Sequence, residues 1–120
     1  MSSKKSKLAI IDDEIYWISL IKEKFLKEYT NYDIKEFLDF KTFIKSENIN
    51  SYEMIITDFH FGNYNLDLLD MDSYLKKYKG MILLVTGYPN SVSNNNCYHK
   101  IINKTYLNKP VFKFSKYIND

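Results

Sequence analysis

Along the chain, short and continuously apolar runs alternate with longer stretches whose apolar residues recur every three or four positions. Leu8-Ala9-Ile10-Ile11 is the first apolar run, and it breaks off at Asp12-Asp13-Glu14. From Ile15 to Tyr29 the apolar positions Ile15, Ile18, Ile21 and Phe25 have helical spacing. Asp13 is placed to cap that helix, with its charge near the helix's positive end. Tyr32 to Phe37 reads as a second strand, interrupted by polar residues, and Asp39 starts a small helix carrying Phe40, Phe43 and Ile44. Glu53 to Thr57 is a third strand, which ends on Asp58. A loop over 59–65, with Gly62 as its turn residue, leads into a helix expected from about 66 to 78. Gly80 opens a fourth strand, Met81 to Val85, which exits through Thr86-Gly87. The polar stretch 90–96 delays the next helix to about Tyr98–Ile102. Tyr106-Leu107-Asn108 is then expected as a fifth strand ending at Lys109-Pro110, with a last short helix over Val111–Ile118.

Strands at 8–11, 54–57 and 81–85 are apolar throughout, as when helices cover both faces of a parallel sheet. The expected fold is α/β, a doubly wound five-stranded parallel sheet. In such sheets ligands collect beyond the carboxyl ends of the strands. Asp12, Asp13, Asp58, Thr86 and Lys109 are the residues expected there. Three converging carboxylates repel one another unless a cation joins them, and hard oxygen donors suit Mg²⁺. Carboxylates, a lysine and a hydroxyl together meet the needs of phosphoryl transfer, in which one carboxylate attacks phosphorus and the others steady the charge.

Composition narrows the classes further. A chain of 120 residues is one domain by size, expected to span 1–120 with a flexible N-terminus over 1–6. The 45% hydrophobic content excludes whole-chain disorder. The single cysteine, Cys97, can form no internal disulfide and no Cys-based zinc cage. The apolar run after the lysine-rich N-terminus is too short for a signal peptide or membrane span, so the expected setting is cytoplasmic. All 17 basic residues are lysine, and lysine lacks the flat fork that reads guanine, so specific DNA binding by this domain is not expected. His60, two residues after Asp58, reads as a loop histidine rather than half of a zinc pair. His99 and Cys97 read as surface or helix residues, and Trp17 as helix-packing core beside Ile18 and Ile21.

Lys7-Leu-Ala-Ile-Ile-Asp-Asp-Glu14, Met54-Ile-Ile-Thr-Asp58, Leu83-Leu-Val-Thr-Gly-Tyr88 and Tyr106-Leu-Asn-Lys-Pro110 occur in that order along nearly the whole chain. Together they resemble a response-regulator receiver domain of bacterial two-component signalling, of the chemotaxis-receiver kind, which implies a flavodoxin-like sheet with strand order 2-1-3-4-5. The resemblance implies that Asp58 is the phospho-acceptor, taking its phosphoryl group from a histidine kinase or phosphotransfer protein. It implies Mg²⁺ held by Asp12, Asp13, Asp58 and the backbone carbonyl of His60. Thr86 would contact the phosphoryl group and change rotamer, Lys109 would pair with it, and Tyr106 would be the aromatic switch three residues before that lysine. Such a domain mediates its own phosphorylation and dephosphorylation without turning over a small molecule. Gly62 departs from the family, which usually has proline four residues after the acceptor.

Two other readings compete. A haloacid-dehalogenase-like phosphohydrolase also uses Asp, Thr, Lys and Mg²⁺ on a parallel sheet. It needs its nucleophile on the first strand with a second Asp two positions later, whereas Asp12 is followed by Glu14 and Asp13 by Ile15. The other is a receiver-like interaction module that is never phosphorylated, and the intact set of Asp12, Asp13, Asp58, Thr86 and Lys109 argues against it.

Overall fold

The computed structural model describes residues 5–46, 48–58, 74–91 and 97–119. Its sheet has five strands, all parallel: β1 (Ser6–Ile11), β2 (Tyr32–Phe37), β3 (Met54–Thr57), β4 (Met81–Thr86) and β5 (Lys100–Asn103). Their order is β2-β1-β3-β4-β5, the order that the resemblance implies. β1 begins two residues before the run Leu8–Ile11, because Ser6 and Lys7 pair with Tyr32 and Asp33.

The two faces of the sheet are covered by separate apolar clusters. Leu8 and Ile10 point to one side with Ile56, Leu83 and Val85, where they meet Ile18, Ile21 and Phe25 of α1 (Ile15–Leu26). Ala9 and Ile11 point to the other with Ile55, Ile82 and Leu84, where they meet Phe40 and Phe43 of α2 (Phe40–Ser46). That alternation is the period of two of a strand, and both faces being dry explains why these strands read as unbroken apolar runs. Gly80 is required at the start of β4, because a Cβ there would run into the Tyr78 ring, whose hydroxyl donates to the Tyr52 carbonyl at 2.7 Å.

Helix starts differ in detail from the pattern. Asp39 caps α2 as expected, its Oδ1 accepting from Thr42 N at 2.7 Å. Asp13 does not cap α1. The capping position is Glu14, which makes no side-chain cap bond, and it is Asp12 Oδ1 that accepts from Glu14 N at 2.9 Å.

The larger correction lies after β4. Of the residues placed in a helix at 98–102, the last three instead open β5, with Ile101 and Ile102 paired to Leu84 and Val85. The two β-branched isoleucines favour the pleated strand, and buried Ile102 joins the α1-side cluster. Asn103 then ends the strand. Its side-chain oxygen accepts from Thr105 N at 3.0 Å and starts a 3-10 segment, Lys104–Asn108. The expected fifth strand at 106–108 is therefore part of a tight helical turn, with Leu107 alone of those three residues buried. The last helix, α3 (Ser115–Ile118), is shorter than expected. Glu28, beyond α1, closes its start by accepting from the N–H groups of Phe114 and Ser115. Most of the helix expected at 66–78, and Gly62 before it, lie outside the described residues.

Candidate functional site

Asp12 and Asp58 each sit one residue past a strand end and are still held by the sheet. Asp12 N donates to the Phe37 carbonyl and Asp58 N to the Ile11 carbonyl, both at 3.0 Å. Because Ile11 pairs with Thr57, the two carboxylates emerge from neighbouring strands at the same level. Both are buried, Asp12 to 1% exposure and Asp58 to 4%. Lys104 emerges from β5 into the same place, with Nζ 2.6 Å from Asp58 Oδ2 and 2.7 Å from Asp12 Oδ2. One ammonium thus bridges two buried carboxylates.

The electrostatics follow from that geometry. Burial pushes the Asp12 carboxyl up from 3.8 to about 6, against the downward pull of Lys104 and the Glu14 N–H. Burial works against the Lys104 ammonium too, but its close pairing with the Asp12 and Asp58 carboxylates more than offsets this and raises its pKa. The Lys104 chain also passes close to α1, placing Nζ 5.2 Å from the centroid of the Trp17 ring.

A cavity of about 400 Å³ opens over this group, lined by Asp13, Glu14, Trp17, Asp58, Gly87, Tyr88, Lys104 and Thr105. Asp58 therefore faces open space, while Asp12 is not part of that lining. Thr86 ends β4, fully buried, and its Oγ1 accepts from Tyr88 N at 3.1 Å. That bond leaves its hydroxyl proton as a donor.

Lys109 and Tyr106 are not brought to this site. Lys109 is exposed, beyond the end of the 3-10 segment, and its Nζ lies 4.7 Å from the centroid of the Tyr106 ring. Since β5 ends at Asn103, the lysine at its carboxyl end is Lys104, and the position three residues before it is Ile101, an exposed aliphatic residue. Lys104 is thus the residue that the pattern missed. Its signal was the pair Ile101-Ile102 followed at once by a capping Asn and a lysine. Trp17, expected as plain core, packs partly into the α1-side cluster and partly against the cavity. His60 lies outside the described residues.

As for a metal, the donor chemistry fits a hard divalent cation. Asp12 Oδ2 is a buried oxygen without a hydrogen bond, since Lys104 approaches it closely but off the bonding line. Among the described residues, no three His, Cys, Asp or Glu side chains already converge as a metal cluster. Lys104 supplies the positive charge between the two carboxylates.

No family model matches the chain, and no curated protein matches it. Among solved structures, it is similar to the RcsB response regulator of Salmonella typhimurium, a structure described for conformational dynamism in DNA interaction. The likeness has a TM-score of 0.65 at 19% identity and covers 88% of this chain. The chain spans 55% of the length of that one. At this identity the likeness shows the fold alone, a flavodoxin-like five-stranded parallel sheet. Among the described residues, no helix is long and apolar enough to cross a membrane.

Proposed function

We propose that this chain is a phospho-accepting receiver of a two-component system, with Asp58 as the acceptor and Lys104, in place of Lys109, as the lysine that attends it. The observation that carries this reading is the bridge from Lys104 to Asp58 and Asp12 beneath an open cavity at the carboxyl end of a parallel sheet. The donor would be a phosphohistidine of a kinase or phosphotransfer protein.

An Asp58 carboxylate oxygen attacks phosphorus, an O–P bond forms, the N–P bond breaks, and the imidazole keeps its electron pair. Strand β3 holds Asp58 in place for that attack, and Lys104 stands ready to pair with a phosphoryl oxygen. Thr86 can offer its proton to another. Asp12, Asp13 and Asp58 are the residues that would hold Mg²⁺, which when bound neutralises charge gathering on the phosphoryl oxygens. A phosphohydrolase of the haloacid-dehalogenase kind is less well supported, because the residue two positions beyond Asp12 is Glu14 and two beyond Asp13 is Ile15, where that chemistry needs a second Asp.

The test is incubation with a small-molecule phosphodonor and Mg²⁺, followed by intact-mass measurement. One acid-labile phosphoryl group is expected on the wild-type chain and none on Asp58→Asn.

A further inference from the structure

Trp17 is the chain's single tryptophan, and it stands where α1 passes the cavity. Its ring is the third partner of the Lys104 ammonium after Asp12 and Asp58. Its neighbour Tyr16 packs edge-on against that ring, with centroids 5.0 Å apart. The Tyr16 hydroxyl in turn donates to Asn108 Oδ1 at 3.1 Å. The start of α1 therefore grips both ends of the 3-10 segment, Lys104 through Trp17 and Asn108 through Tyr16.

The geometry points to Trp17 as a positioning residue that keeps Lys104 on the carboxylate pair, so that a divalent cation entering the site must compete with the ammonium for Asp12. This rests on the phospho-acceptor reading above and adds the residue that governs its lysine. A lysine ammonium is strongly hydrated and rides on a flexible four-carbon stem, so water reclaims it unless something holds it. The face of a tryptophan attracts it and shields its stem. The same grip has two opposite consequences. It makes the ammonium a stronger competitor against the metal, and it keeps Lys104 beside Asp58, where phosphoryl oxygens would arrive.

The experiment compares the full chain with Trp17→Ala and Trp17→Phe. Calorimetric titration gives the Mg²⁺ affinity, and the rate of Asp58 phosphorylation is measured at saturating Mg²⁺. Trp17→Ala is expected to bind Mg²⁺ about threefold or more tightly while being phosphorylated more slowly by a similar factor, with Trp17→Phe in between. Both quantities falling together, as from simple damage to the fold, would overturn the inference, and so would neither moving or Phe behaving as Ala. Trp17 emission is also compared between the metal-free wild type and Lys104→Met. A change is expected, and identical emission overturns the contact itself. Because that arm needs no phosphoryl transfer, it separates the two ideas. A wild type that is never phosphorylated ends the acceptor reading, whereas a wild type that is phosphorylated but shows none of the Trp17 effects ends the inference alone. If Trp17→Ala does not fold, the Trp17→Phe comparison decides.

Discussion

Lys104 and Lys109 each place an ammonium over an aromatic ring, at 5.2 Å from Trp17 and 4.7 Å from Tyr106. The first lies in a nearly dry site with two carboxylates, its side chain 10% exposed. The second stands at the surface, where its cavity is shared with Lys113 and Lys116 and no acid lines it. The ring contact is common to both, so it cannot be what makes a site. What differs is burial and the facing acids. In low-dielectric surroundings the charges of Asp12, Asp58 and Lys104 each need the others, whereas water screens Lys109.

Removing each lysine breaks this comparison most sharply. Lys104→Met leaves two buried carboxylates facing each other and should cost about 3 kcal/mol of stability. Lys109→Met should stay within about 0.5 kcal/mol. Denaturant unfolding of the two variants measures the gap, and equal losses would show that burial does not distinguish the lysines.

A metal sharpens the same contrast, because it can replace part of what Lys104 does. If Mg²⁺ binds at the carboxylates, at 100 times its Kd it should add about 2.7 kcal/mol to stability. The gain should shrink in Asp13→Ala and persist in Lys109→Met. A melt that ignores millimolar Mg²⁺, or rises equally in Asp13→Ala, would count against a metal there.

Acid tests the cost of burying Asp12. Its folded pKa of about 6 lies above the ordinary 3.8, so its proton is held more tightly in the folded chain. The stability from that proton is fully present below about 3.8 and is lost as pH rises through about 6. Relative to Asp12→Asn, which cannot ionise, the wild type should therefore lose roughly a few degrees of melting temperature across that window. A constant difference between the two proteins over that range would refute the assignment.

The smallest effect concerns the cavity's rim. Tyr88 lines the cavity beside Asp58 and is 58% exposed, so its ring can cover part of the approach to the acceptor. Tyr88→Ala should speed loss of the phosphoryl group by about a few-fold, through freer access of water. An unchanged or slower decay after donor removal would show that this ring does not restrict water.

How legible each region was in the sequence tracks how it is buried. β1, β3 and β4 lie inside the sheet with both faces covered, so their runs are apolar throughout and their exits, Asp12, Asp58 and Thr86, stood out. β5 is an edge strand of four residues in which Ile102 is buried and Ile101 exposed. Half-covered and short, it left no run to see. The alternation of Tyr106, Leu107 and Asn108 before Lys109-Pro110 mimicked a strand exit, and that cue carried the lysine and the aromatic switch to the wrong segment. Asp13 as a helix cap failed for a different reason, since the helix starts one residue later, with Glu14 at the capping position and its N–H bonded to Asp12. His60 and the region around Gly62 fall outside the described residues.

The central claim is that the trio Asp58, Asp12 and Lys104 forms the phosphoryl-accepting site. The most direct measurement is intact mass after incubation with phosphodonor and Mg²⁺ for the wild type, Asp58→Asn, Lys104→Met and Lys109→Met. The account predicts one added phosphoryl group on the wild type and on Lys109→Met, none on Asp58→Asn, and slowed or absent addition on folded Lys104→Met. Equal labelling of Asp58→Asn, or loss of labelling in Lys109→Met with Lys104→Met unaffected, would contradict it.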